Sequence, residues 1–186
     1  RLLTSQSRNV VIKTRVVRHT AKAAPLSAHL SYLRREGVTR DGEKAQLFGP
    51  ETGDADPKAF AERTQDDRHH FRFIVSPEDA TEMSDLRTYA RDLMGQMEKD
   101  LGTKLDWVGV DHWNTDNPHV HIILRGRTDD SQDLVLSRDY IKEGRRARAQ
   151  DRVTQELGPR TEQEIRRNLG RQVEAERWTD LDRQIS

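Results

Sequence analysis

Residues 9–18 alternate after Val11, with Ile12, Thr14 and Val16 set against Lys13, Arg15 and Val17. A period of two places successive side chains on opposite faces, so this segment reads as a strand with a basic face. Helical spacing takes over at residues 26–36, where Leu26, Leu30 and Leu33 share one side, Pro25 and Ser27 open the helix and Gly37 closes it at a C-cap. His29, Tyr32 and Glu36 fall on a flank beside that stripe. The Gly, Pro and Asp content from Val38 to Ala55 predicts an irregular loop, after which Pro57 opens a short helix through Arg63. His69 to Val75 alternates again, Phe71, Phe73 and Val75 against His70, Arg72 and Ile74, and ends at Ser76-Pro77. Residues 77–101 predict the longest helix, with Met83, Leu86, Ala90, Leu93, Met97 and Leu101 at steps of three and four and Gly102 as its stop. Two strands follow, Leu105 to Asp111 and His119 to Arg125, joined by the polar segment 113–118. Leu134 to Leu136 is expected as an edge strand.

This order predicts an α+β core over residues 1–136, a mostly antiparallel sheet with helices packed on it. Residues 137–186 predict a polar helical extension interrupted at Gly158-Pro159. Its Ile165, Leu169 and Val173, then Trp178, Leu181 and Ile185, are spaced to dock on the sheet domain or on further chain. The first residue is Arg1 rather than Met, so the chain is expected to be a piece of something longer. The chain has 186 residues, 33% hydrophobic against 34% charged, and a mean hydropathy of −0.96, which implies one domain with a thin core. There is no Cys, which excludes a disulfide framework, a thiolate zinc site and a cysteine nucleophile, so any metal needs His or carboxylate ligands. No apolar run approaches the roughly 20 residues of a membrane span, and the start Arg1-Leu2-Leu3-Thr4 has no secretory core. A cytoplasmic protein without membrane insertion is therefore expected.

The formal net charge is zero, from 32 basic and 32 acidic side chains, and taken whole it offers no case for nucleic acid. Divided along the chain it changes character. Residues 1–47 carry 10 basic and 3 acidic side chains, residues 48–100 carry 7 and 13, residues 101–136 carry 3 and 6, and residues 137–186 carry 12 and 10. A basic first segment against an acidic middle leaves room for an anionic partner held on one side.

The densest chemistry lies in Asp111-His112-Trp113-Asn114-Thr115-Asp116-Asn117-Pro118-His119-Val120-His121. On a strand, His119 and His121 point to the same face, about 6.6 Å apart at a rise of roughly 3.3 Å per residue. Val120, Ile122 and Leu124 then face the long helix. The 113–118 connection carries His112 back alongside, so three imidazoles can share one cation, a set that suits Mn, Zn, Ni or Co. Histidines in a strand are also common as half-buried polar positions. Asp111 or Asp116 is a candidate to bond a ligand imidazole and set its tautomer, or simply a turn or cap residue.

The arrangement of His112 followed by His119-Val120-His121 resembles the histidine-hydrophobic-histidine motif of the HUH endonucleases. The upstream third histidine is typical of conjugative relaxases of the mobilisation (MobA/VirD) type. In that family a first motif is a helix bearing a nucleophilic tyrosine, and Leu30-Ser31-Tyr32-Leu33-Arg34-Arg35-Glu36-Gly37 is similar to it. A second is a strand ending in serine, similar to His69-His70-Phe71-Arg72-Phe73-Ile74-Val75-Ser76-Pro77. The resemblance spans roughly residues 9–136. It implies Tyr32 as nucleophile, His112, His119 and His121 as ligands of one divalent ion with Mg or Mn in use, and a 5'-phosphotyrosyl intermediate formed reversibly at an origin of transfer. It further implies single-stranded or supercoiled DNA as substrate, relaxosome accessory proteins and a type IV coupling protein as partners, and a bacterial cytoplasm from which the protein is translocated with DNA.

The residues themselves agree with a nucleophilic role for Tyr32, which flanks the leucine stripe with Arg34, Arg35 and Arg40 following, although a packing role fits the same position. Tyr89 lies beside the stripe of the long helix and is expected to pack; Tyr140 is a weaker nucleophile candidate in the basic stretch 138–148. Lys13, Arg15, Arg18, Lys22, Arg34 and Arg35 are candidates for the DNA backbone, with Arg72 and Ser76 as additions and Trp113 as a stacking surface. Three other functions share these features: a rolling-circle replication initiator, a metal-stabilised DNA-binding module without nuclease activity, and a histidine-metal hydrolase with no covalent intermediate.

Overall fold

The structure, a computed structural model, describes residues 10–83 and 85–144. Its elements are β1 (Val10–Arg18), α1 (Leu26–Glu36), α2 (Pro57–Arg63), β2 (His69–Pro77), α3 (Leu86–Leu101), β3 (Trp107–His112) and β4 (His119–Arg125). A 3-10 turn spans Ala80–Glu82 and a π-helical turn Tyr140–Gly144. The four strands form one sheet in the order β1-β2-β4-β3, every neighbouring pair antiparallel, so the fold is α+β as the periodicities predict. β1 and β2 lie side by side; α3 then carries the chain past one strand position to β3, and β4 returns between β3 and β2.

Cross-strand partners share a face, and the register sorts the side chains into two sets. Val10, Ile12 and Thr14 pair with Pro77, Val75 and Phe73; Phe73 and Val75 pair in turn with Ile122 and Val120. This face packs on α3, whose Leu86, Tyr89, Ala90, Leu93, Met94 and Met97 are buried against it together with Trp107 and Leu124. Tyr89 is thus a packing residue. The opposite face holds a smaller apolar cluster, Val108, Val110 and Ile123 under Leu30 and Leu33 of α1 and Phe60 of α2. That second cluster covers the β3–β4 half only. Toward β1 and β2 the same face presents Lys13, Arg15, His70 and Arg72, so one sheet surface is half core and half polar.

The loop from Val38 to Ala55 is irregular but anchored. Val38 bridges His112 and Phe48 bridges Gly109, which covers the outer edge of β3. Phe48 meets Trp107 edge-on and lies under the guanidinium groups of Arg87 and Arg91, while Arg91 donates to the carbonyls of Gly49 and Thr52.

Several boundaries differ from the sequence expectation. β1 begins at Val10, and Asn9 lies outside the described residues. The helix expected over 77–101 begins at Leu86, because the Asp85 carboxylate caps it by accepting from the amides of Arg87 and Thr88. Met83 keeps helical spacing to Leu86 and is fully buried, yet its backbone is extended. Gly102 ends α3 in the left-handed region, φ 68°, as expected. Gly37 caps α1 as expected, its amide donating to the Leu33 carbonyl; its backbone is ordinary at φ −69° and ψ 133°, and it is glycine because a Cβ there would strike Val110 Cγ1 and sit 3.0 Å from Ala45 Cβ. Leu134 to Leu136 forms no strand. One bridge, Arg127 to Asp133, precedes it, and the Leu134 carbonyl accepts from the His69 imidazole rather than from a neighbouring strand. The expected extension over 137–186 lies largely outside the described residues; within them, Tyr140 packs on the α3 core and donates to Asp100. Among the described residues no helix is long and apolar enough to cross a membrane.

Candidate metal and nucleic-acid site

His112 and His119 are direct cross-strand partners at the turn end of the β3–β4 hairpin, and His121 lies one pleat further along on the same face. Their rings are adjacent, with centroids 5.1 Å apart for His112 and His119 and 4.8 Å for His119 and His121. The Nε2 atoms of His119 and His121 are 3.1 Å apart. Two nitrogens at that spacing can bind one ion at roughly 2.1 Å each, subtending about a right angle. Among the described residues no three His, Asp or Glu side chains already surround one point as a complete ligand set. Two of the nitrogens converge, and the third ring borders them.

The electrostatics suit ligation, which requires neutral imidazole. Burial pushes His121 down to about 4, helped by the neighbouring His119, His29 and His112. His112 is lowered as well, by burial and by His119, with Glu36 pulling the other way. His119 Nδ1 lies 2.9 Å from the Asn117 carbonyl and donates to it, which leaves the Nε2 lone pair for a ligand or for the proton of His121.

The tautomer-setting partner is therefore a backbone carbonyl rather than either carboxylate named from the sequence. Asp111 pairs with Val120 and faces α3; it is 4% exposed and bonds Arg87 Nε at 3.3 Å and Trp113 Nε1 at 3.1 Å. Asp116 is exposed in the 113–118 turn. Trp113, expected as an exposed stacking surface, is half-buried: its indole is tied to Asp111, packs against the α3 core and carries the Arg40 guanidinium over its ring.

Tyr32 is 51% exposed on α1, with its ring stacked near-parallel to His29 at a centroid distance of 6.4 Å. Burial lowers His29 to about 4, with Arg72 and Arg15 adding to it, and His29 in turn acts on His121 and His70. At the other end of the same flank Glu36 acts on His112. His29 and Glu36, three residues before and four after Tyr32 on α1, therefore lie within electrostatic reach of the histidine row.

The basic candidates divide by face. Lys13, Arg15 and Arg72 share the face of His119 and His121, and Ser76 lies there too, donating to the Pro118 carbonyl at 3.2 Å and so tying β2 to the histidine connection. Arg18 falls on the opposite face. Lys22 is exposed in the turn after β1; Arg34 and Arg35 occupy the last turn of α1, half-buried and exposed respectively.

Sequence reasoning missed a second polar group on this surface. His19 Nε2 lies 2.6 Å from His70 Nδ1, His19 Nδ1 lies 2.7 Å from the Asp67 carbonyl, and Arg72 Nε donates to His70 Nε2 at 3.0 Å. The spacing His70-x-Arg72 on one strand face was a usable signal; His19, far away in the chain, carried none. Also unforeseen is Asp67, buried and gripped by Arg125 through two hydrogen bonds of 2.7 and 3.1 Å, with Arg127 alongside.

The relaxase family described as MobA/VirD2-like, nuclease domain, matches the chain over residues 52–158. The matched segment contains β2, α3 and the three histidines, and begins after α1. No curated protein matches the chain.

Proposed function

From the chain's membership of the MobA/VirD2-like relaxase nuclease family, which makes it a DNA-nicking enzyme in general terms, we propose a finer assignment. The protein makes a site- and strand-specific nick at the origin of transfer of a conjugative or mobilisable element, with Tyr32 as nucleophile. The observation that carries this reading is the adjacency of three imidazoles, two with Nε2 atoms 3.1 Å apart, on the sheet face where α1, the helix that bears Tyr32, is packed.

His112, His119 and His121 would hold one divalent ion, Mg or Mn in use and Zn, Ni or Co compatible, which when bound supplies positive charge to a non-bridging oxygen of the scissile phosphate. The phenolic oxygen of Tyr32 attacks phosphorus in line, its proton leaves, and the P–O bond to the 3'-oxygen breaks. The 3'-oxygen departs as a hydroxyl and the 5' end remains esterified to Tyr32. One phosphodiester replaces another, so the step is close to energy-neutral and reversible, as nicking followed by rejoining requires. Lys13, Arg15 and Arg72, on the same face, bind the DNA backbone. The same reading supplies the partners and setting: relaxosome accessory proteins and a type IV coupling protein, in a bacterial cytoplasm.

The deciding experiment incubates the protein with labelled single-stranded origin DNA and Mn or Mg, and looks for a denaturation-resistant adduct. Tyr32→Phe and His119→Ala should both lose it. An adduct that persists in Tyr32→Phe overturns the nucleophile assignment, and cleavage without any adduct points to hydrolysis by water instead.

A further inference from the structure

Arg15 of β1 and Arg72 of β2 are direct cross-strand partners on the face that carries the histidines. Like charges so placed repel, and the cost grows when one of them is taken from water. Arg72 is half-buried, it feels Arg15 as a like charge, and among the described residues no carboxylate bonds to either guanidinium. A half-buried guanidinium set against an exposed one, with no carboxylate bonded to either among the described residues, is suited to a ligand that brings the negative charge.

Arg72 is also held in place. A guanidinium only donates, so His70 Nε2, 3.0 Å from Arg72 Nε, is the unprotonated nitrogen of its ring. The His70 Nδ1 proton then goes to His19 Nε2 at 2.6 Å, and the His19 Nδ1 proton to the Asp67 carbonyl at 2.7 Å. Every donor in this relay meets one acceptor, and His70 is 2% exposed. The relay occupies Nε and leaves the two Nη nitrogens of Arg72 without a partner among the described residues.

The position relative to the histidines is set by register. Arg72 pairs with Ile123, two residues along β4 from His121. At about 4.8 Å between strands and a rise of roughly 3.3 Å per residue, the Arg72 and His121 backbones are roughly 8 Å apart. That is the scale of one nucleotide step along a single strand.

The geometry points to Arg15 and Arg72 as a binding site for the DNA backbone phosphate next to the scissile one, with His70 and His19 as positioning residues that hold the Arg72 guanidinium. This rests on the nicking assignment above, and its failure can be told apart from the failure of that reading.

The probe is a fluorescent oligo(dT) 20-mer, its binding followed by anisotropy over a series of salt concentrations, with thermal melts on every variant. Arg72→Gln should weaken binding about tenfold and reduce the slope of log affinity against log salt by about 0.7, the value for one fewer phosphate neutralised on a single strand. Arg72→Lys should restore the slope but not the affinity, because an ammonium cannot both bond His70 and grip a phosphate in two places. His70→Leu should weaken binding, and His70→Gln should recover it, since its amide can accept from Arg72 and donate to His19. Lys99→Gln, exposed on the solvent side of α3 across the sheet, should leave the slope unchanged. An unchanged slope in Arg72→Gln, or an equal loss in Lys99→Gln, overturns the phosphate site while leaving the Tyr32 adduct untouched. Absence of DNA binding by the unaltered protein overturns both. The two Arg72 variants decide the site even where His70→Leu fails to fold.

Discussion

The Nε2 atoms of His119 and His121 meet at 3.1 Å because strand alternation puts both rings on one face and the Asn117 carbonyl turns His119 toward its neighbour. Removing either nitrogen breaks the converging pair. His119→Ala and His121→Ala are each expected to lower Mn affinity by about 100-fold or more, measured by titration calorimetry on the folded protein. Undiminished Mn binding in His121→Ala would remove these residues as the ligand set.

Asp111 separates stability from metal binding. Its buried carboxylate serves Arg87 and Trp113 across the α3 face, not an imidazole. Asp111→Asn should cost about 1–3 kcal/mol of folding stability in urea and leave Mn affinity within a few-fold of the original. A collapse of Mn affinity at unchanged stability would restore Asp111 to the metal site.

Acid should unfold this protein earlier than its carboxylates alone would require. Burial holds His70 at about 3, with Arg72 and nearby histidines contributing, and holds His29 at about 4, against about 6.5 in an unfolded chain. Between those limits the unfolded state binds more protons, so stability is complete above about pH 6.5 and falls as the pH drops toward 3 to 4. For His70 the slope reaches up to about 1.4 kcal/mol per pH unit. Urea midpoints taken from pH 8 to pH 4.5 should show the fall, with a shallower one in His70→Gln; a flat profile from pH 7 to pH 5 contradicts it.

Gly37→Ala tests the seat of the nucleophile helix. A methyl group there collides with Val110 Cγ1 under the end of α1. The variant should lose about 1–3 kcal/mol and, by lifting α1 from β3, form less DNA adduct even where the protein remains folded. A full adduct yield would show that the Tyr32 position tolerates displacement of the helix end.

What could be seen in the chain was local. Periodicity delimits α1, α2 and β4 to the residue, because each buries one face and the spacing of Leu30 and Leu33, or of Val120, Ile122 and Leu124, records which. The histidine row was legible for the same reason: His112 and His119 are joined by a short connection, so pairing their strands brings the rings together with no long-range information. The start of α3 was not legible, since Met83 keeps the helical spacing while the Asp85 cap begins the helix after it.

The rest depended on contacts between segments far apart in sequence. Asp111 and His112 are neighbours in the chain, yet the pleat sends one to the Arg87 side and the other to the imidazoles. His19 and His70 are 51 residues apart, and Asp67 and Arg125 are 58 apart; nothing in either segment names its partner. The residue types and their periods were enough for the elements and for the three histidines, because those depend on alternation along one strand and on a hairpin. Which charges are buried, which are paired and which two arginines stand opposed on the histidine face was decided only when β1, β2 and β4 came into register, since burial and cross-strand repulsion are properties of the assembled sheet.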